Sequence, residues 1–279
     1  MTDIRAQALG DIFGGAPCLD PLDLPLRHHH IRAMLRSPAH YLAVRLGQAS
    51  DEPTEAMQLG TGLHEMLAAR VDVLAWQEGR PRRGKDYDDF VAAHPDALVL
   101  TAKEMHLAGE MHAAIMHDPL ASPLCVGGVA EKSIVWTHPL VGRCRTTPDR
   151  LHHEAPGTLA QIVEVKTART AEPARFVWTG RRDYGYHTQA AWHRRGLTSF
   201  GEAVQGVEVW LVVVESKAPH AVSTIRVRPS IMEAADREID DALARIVECR
   251  AANSWPGYTP TPWDWEADEN DIHMGEGAE

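Results

Sequence analysis

Apolar residues fall three and four apart through HHHIRAMLRSPAHYLAVRLG, residues 28–47, the spacing of a helix with one face turned to a core. The Ser37-Pro38 pair interrupts the run. A proline starts a helix more comfortably than it continues one, so two short helices are predicted. The same period returns from Glu55 to about Val73 and places His64 inside the string LGTGLHEML. Between Gln77 and Asp96 the pattern dissolves into Gly, Pro and charge, which predicts a mobile loop of a size to act as a lid. Thr101 followed by Glu104 is a capping-box pair, in which each side chain satisfies an orphan amide of the other, and it precedes a helical run to about His117.

The period then changes from helical to alternating. VAEKSIVW (129–136), GRCRTTPDRL (142–151) and LAQIVEVKT (159–167) are rich in β-formers and separated by turn-prone segments, which predicts a three-stranded antiparallel meander. A helix is expected from about Asp183 to Gly196. VEVWLVVVE (207–215) has the continuous apolar character of a strand buried on both faces, with VSTIRVR (222–228) as its hairpin partner. Ser230 with Glu233 repeats the capping-box pattern before a helix to about Ala252. An N-terminal helical region and an α/β core with a mixed sheet follow. The expected organisation is a leader over 1–24, one domain over 25–265, mainly helical in 25–120 and α/β in 129–252, and a frayed acidic tail over 266–279.

Composition narrows the functional classes. The chain has 279 residues, 44% of them hydrophobic and 24% charged, which is ordinary for a folded globular protein. No apolar run approaches the roughly 20 residues needed to span a bilayer, and a cytoplasmic location is expected. Cys18, Cys125, Cys144 and Cys249 lie far apart without a Cys-x-x-Cys pair. They are expected to be reduced packing residues, with an iron–sulfur cluster on four scattered ligands as the other reading. No P-loop, Gly-x-Gly-x-x-Gly or Gly-x-Ser-x-Gly occurs, so nucleotide-driven and serine-hydrolase chemistry lack support. Adjacent residues on a helix face different directions, so the run His28-His29-His30 is a poor chelate.

The formal net charge of −11 argues against binding a polyanion. Its distribution argues the other way. From Arg143 to Arg195 ten basic residues face five acidic ones, whereas from Pro229 to the end thirteen acids face three bases. The centre is locally basic, and the two readings, a nucleic-acid groove or an ordinary solvated surface, stay open on charge alone.

Candidate chemistry sits in that centre. Pro148-Asp149 is followed, after fourteen residues, by Glu164-Val165-Lys166. Alternate residues of a strand share a face, so Glu164 and Lys166 project together while Val165 points back into the core, leaving its backbone carbonyl free to help hold a cation. An antiparallel neighbour would bring Asp149 to Glu164. The resulting oxygen-rich pocket suits a hard divalent ion, Mg²⁺ best, with Mn²⁺ as a substitute. Lys166 would orient a nucleophilic water and stabilise charge developing on a phosphate. An acid-x-Lys pair also occurs on solvated strand edges, but the apolar setting IVEVKT makes two charges on one face less casual.

The strings RSPAHYL, LGTGLHEML, AEKSIVW, GRCRTTPDRL, VEVKTA and YGYHTQAAW, in this order, resemble the exonuclease domains of the RecE (exodeoxyribonuclease VIII) type, over about Leu24 to Trp265. That family is grouped with lambda-type exonucleases and RecB-type nuclease domains in the PD-(D/E)XK superfamily. The resemblance implies a restriction-endonuclease-like core and an Mg²⁺-dependent exonuclease that digests duplex DNA ends from 5′ to 3′. It further implies a ring-shaped homo-oligomer and a RecT-like annealing protein as partner. By the same resemblance Asp149, Glu164 and Lys166 match the metal-binding and catalytic core, and His64 a histidine beside the metal. Glu131 matches an acid at the site's edge, and Gln189 a catalytic-helix glutamine. Where the family places a Tyr four residues after that Gln, this chain has His193. Tyr184 and Tyr186 are expected near the DNA, and Arg181, Arg182, Arg194 and Arg195 are expected to contact phosphates. The alternatives are a RecB-like or CRISPR-associated nuclease of other polarity, or a non-catalytic DNA-end-binding or phage scaffold protein.

Overall fold

The computed structural model describes residues 21–48, 54–77, 79–155, 157–199 and 206–258. Most of the leader, Cys18 and the acidic tail lie outside the described residues. Helices α1 (His28–Arg36) and α2 (Pro38–Arg45) are separated at Ser37. Ser37 is extended, its hydroxyl accepts from the His40 amide, and Pro38 takes the first position of the new helix. α3 (Glu55–Ala68) carries His64 and stops at Ala69, whose φ of 51° is left-handed.

The chain then enters β1 (Val73–Trp76), which pairs in parallel with β2 (Leu98–Thr101). The segment between them corrects an expectation, because 77–96 is not simply a loop: Lys85–Ala93 forms α4. Trp76 packs edge-on against Tyr87 and Phe90, and this aromatic cluster orders a stretch whose Gly, Pro and charge read as loop. α5 (Ala102–His117) begins at the capping box of Thr101 and Glu104, and α6 (Ala121–Cys125) follows.

The expected three-strand meander is instead five strands. These are β3 (Val129–Ala130), β4 (Ile134–His138), β5 (Gly142–Thr146), β6 (Arg150–His152) and β7 (Leu159–Ala168). β4 and β5 form a hairpin of their own, while β3 and β6 pair antiparallel and β6 pairs antiparallel with β7. Two residues make the difference. Glu131 ends β3 with a φ of 52°, and Pro148, which has no amide to donate to a ladder, separates β5 from β6. After β7 come α7 (Pro173–Thr179), a π-turn over Gly180–Tyr184, and α8 (Tyr186–Ser199). The helix expected from Asp183 therefore starts three residues later, because Gly185 sits at φ 67°.

β8 (Gly206–Glu215) runs parallel to β7, and β9 (Val222–Val227) returns antiparallel to β8, giving the strand order β3-β6-β7-β8-β9. α9 (Pro229–Ala252) closes the described fold. Its start is also a correction: Arg228 is the cap residue and makes no side-chain cap bond. Pro229 holds the first helical position, so Ser230 is already inside the helix.

The mixed sheet separates two cores, and the alternation along its central strands sorts side chains between them. Ala160, Ile162, Val209, Leu211 and Val213 pack with α1, α8 and α9. Val163, Val165, Val212 and Val214 pack on the other side with α3, α5 and α6. Glu164 and Lys166 share the parity of Ala160 and Ile162, so they emerge toward α8. Each buried valine contributes about 1.5–3 kcal/mol, which together offset the several kcal/mol that burying an ion pair on the same strand costs. Cys125, Cys144 and Cys249 are free and buried.

Candidate active site

The register of β6 on β7 builds the centre. Arg150 pairs with Val163, so Asp149, one residue earlier, falls opposite Glu164. The Asp149 amide donates to Glu164 Oε1 at 3.2 Å, and Asp149 Oδ2 accepts from the Val165 amide at 2.7 Å. Asp149 Oδ1 faces α3 and lies 3.3 Å from His64 Nδ1. Val165, whose carbonyl is the expected ligand, also meets Asp149 through its amide.

Glu164 is 1% exposed. Its Oε2 accepts from Lys166 Nζ and from Gln189 Nε2, both at 2.9 Å, and His193 Nε2 lies 3.1 Å from its Oε1. Burial opposes ionisation of this carboxyl. The charges and hydrogen bonds of His193 and Lys166 more than offset that and hold it well below the usual carboxylate range. Burial likewise opposes charge on Lys166, but Glu164 and Asp149 keep the ammonium protonated well above the ordinary lysine range. His193 is itself anchored, with Nδ1 against Thr146 Oγ1 at 2.5 Å. His193 stands where the family pattern has a tyrosine. Its signal was the i, i+4 spacing from Gln189, which puts both on one face of α8. Thr146 carried no signal, because the β5–α8 packing that brings it in is long-range.

His64, Glu131 and Asp149 converge on the other side. One donor atom from each lies within 4.8 Å of the others. Glu131 reaches this point through its left-handed backbone, with its amide donating to the Asp149 carbonyl at 3.0 Å. Burial and the neighbouring Asp149 carboxylate both push the Glu131 carboxyl above its usual range. That is the electrostatic cost a divalent cation relieves. Burial lowers the proton affinity of His64, but the charge and hydrogen bond of Asp149 outweigh it and leave the imidazole raised. One imidazole and two carboxylates fit a divalent cation such as Mn²⁺ or Mg²⁺. The oxygens of Glu164, also expected among the metal ligands, meet Lys166, Gln189, His193 and the Asp149 amide.

A cleft of about 1860 Å³ opens beside this centre, lined by His64 and Glu131 and by the cations Arg70, Arg82, Lys103, Arg169, Arg175 and Lys217. Among the described residues, Lys103, Arg169, Arg175 and Lys217 make no ion pair. Tyr184 and Tyr186 line the same cleft. The four arginines expected at phosphates do not line this cleft. Arg194 and Arg195 are bound by Asp236, and Arg195 also by Asp240, on α9. Arg182 pairs with Asp183 and covers the Trp178 ring, and neither Arg181 nor Arg182 lines the cleft. The histidine run is dispersed, with His28 on Thr188 and His30 on the Arg27 amide.

Residues 28–261 match the family described as a PDDEXK-like domain of unknown function (DUF3799). A search of curated proteins finds no match. Among solved structures, a candidate exonuclease from Eubacterium rectale superposes with a TM-score of 0.57 at 12% identity, over 90% of this chain and 93% of that one. LHK-Exo in complex with dAMP gives a TM-score of 0.36 at 14% identity, over 89% of this chain and 96% of that one. The alkaline exonuclease LHK-Exo from Laribacter hongkongensis gives 0.28 at 14%, over 68% and 98%. Acidic and basic groups gathered on the central strand of a mixed sheet, together with a profile match over most of its length, place this chain in the PDDEXK-like domain family (DUF3799).

Proposed function

We propose that the protein is a divalent-metal-dependent exonuclease that hydrolyses phosphodiester bonds at the ends of duplex DNA. The observation that carries this reading is the convergence of Asp149, Glu164 and Lys166 at one crossing of β6 and β7, with His64 and Glu131 beside them. His64, Glu131 and Asp149 would hold the cation, Mg²⁺ or Mn²⁺. When bound, it would polarise the scissile phosphate and lower the pKa of an adjacent water. Lys166 presents an ammonium, fixed by Glu164, that can donate to that water and to a phosphate oxygen as its charge grows. Gln189 and His193 keep Glu164, and through it Lys166, in place. Lys103, Arg169, Arg175 and Lys217, which make no ion pair among the described residues, supply the phosphate contacts that a chain of net negative charge otherwise lacks.

The finer reading follows the RecE-type resemblance. Digestion would run from 5′ to 3′ and leave a 3′ strand for a RecT-like annealing protein, with the enzyme acting as a ring-shaped homo-oligomer. The test is incubation of the purified protein with linear and circular duplex DNA, with Mg²⁺ or with chelator, alongside Lys166→Ala. Loss of linear DNA only, only with metal, and at least about 10²-fold slower in the variant is expected. Digestion at an undiminished rate in Lys166→Ala, or digestion in chelator, would overturn the proposal. End-labelled strands decide polarity, and preferential loss of the 3′ label would favour a RecB-like enzyme of opposite direction.

A further inference from the structure

We propose that Tyr184 is a stacking platform for an unpaired nucleobase of the DNA strand that enters the cleft. This rests on the reading of the cleft as a DNA groove. Phe176, Tyr186 and Tyr184 form a row of three near-parallel rings. Phe176 and Tyr186 have centroids 5.5 Å apart at 20°, and Tyr186 and Tyr184 are 5.4 Å apart at 12°. These are offset stacks. All three rings line the cleft, and exposure rises along the row from Phe176, which packs in the core and is 6% exposed, to Tyr184, which is 48% exposed. Here the outermost ring is the exposed one.

The row is fixed to the reaction centre and to a particular turn. Lys166 Nζ lies 5.3 Å from the centroid of Tyr186, the middle ring, so the open ring stands one ring away from the catalytic ammonium. Tyr184 closes the π-turn and is followed by Gly185 at φ 67°, where a side chain would be strained. Gly180 opens the turn, and a Cβ there would come within 2.7 Å of the Tyr186 ring. Both glycines are therefore needed to bring the rings together.

The chemistry of the surroundings selects the occupant. A bare aromatic face also suits an apolar peptide, but Arg169, Arg175 and Lys217 line the same cleft without acidic partners among the described residues. Flat π-faces flanked by unpaired cations match alternating bases and phosphates of a single strand. The nearby Trp178 is also exposed, yet Arg182 already covers its ring at 4.0 Å and it does not line the cleft.

The experiment uses a duplex with a short overhang carrying 2-aminopurine at the first unpaired position, titrated in an Asp149→Asn background to prevent cleavage. Binding is expected to quench the probe. Tyr184→Ala should abolish the quench and weaken binding about tenfold, whereas Tyr184→Phe and Tyr184→Trp should retain both. Should the alanine variant fail to fold, Tyr184→Leu, which keeps the bulk without the π-face, is expected to behave as alanine would. An unchanged quench in the Ala or Leu variant, or a Phe variant as weak as Ala, overturns stacking. If the natural protein leaves linear DNA intact with metal, the nuclease reading fails instead, and the two failures are read from separate assays.

Discussion

At the scale of single residues, Glu131 shows a conformational cost incurred for position. A non-glycine residue at φ 52° is strained, and its carboxyl stands against that of Asp149. Glu131→Gly removes both burdens. It is expected to raise stability by about 1 kcal/mol in urea unfolding while weakening Mn²⁺ binding in calorimetry. A loss of stability with metal affinity intact would contradict the role given to this side chain. The sequence made parts of this site readable. Asp149, Glu164 and Lys166 announce themselves by spacing, because a strand alternates faces. That Glu164 would be held by Gln189 and His193 rather than turned to His64 was not readable, since it depends on how α8 lies over β7. Nor did spacing separate Arg175, which lines the cleft, from Arg195, which α9 neutralises.

At the scale of elements, local signals worked where local chemistry decides. The Ser37-Pro38 break and the Thr101–Glu104 box lie where the sequence predicts them. Signals failed where tertiary contacts decide. The aromatic packing of Trp76 orders α4, and Pro148 sends β5 and β6 into different sheets. α1 offers a test of local chemistry against pH. His30 Nδ1 accepts from the Arg27 amide at 2.9 Å, which requires a neutral ring. Burial, then the charges of His29, Arg45 and Arg27, push its pKa from 6.5 to about 2. A histidine depressed in the folded state contributes its full stability above its unfolded pKa and loses it as pH falls below that value. Between pH 7 and 5 the loss through this residue is about 2 kcal/mol. His30→Gln, whose amide oxygen can accept the same bond, should lack that share when urea unfolding at pH 7 and pH 5 is compared. Equal pH slopes in parent and variant would refute the assignment.

At the scale of the whole molecule, the net charge of −11 and the cationic cleft are reconciled by segregation. If about four phosphates are neutralised, affinity for DNA should fall about 10²-fold between 50 and 200 mM salt. Arg175→Ala is expected to reduce the log–log salt slope by about one, whereas Arg195→Ala should leave it unchanged because Asp236 and Asp240 already hold that guanidinium. The reverse pattern would move the phosphate path to α8 and α9.

The parallel union of β7 with β8 bears on how this protein can be cut. His64, Glu131, Asp149, Glu164, Lys166, Gln189 and His193 all precede residue 194, so a fragment ending before Gly206 would contain every group of the centre. It would nonetheless present ten residues of β7 as a bare edge, with the donors and acceptors that β8 satisfies left open. A nascent chain passes through this condition on the ribosome until Glu215 emerges. Premature termination before Gly206 would therefore yield an aggregation-prone remnant rather than a minimal functional unit.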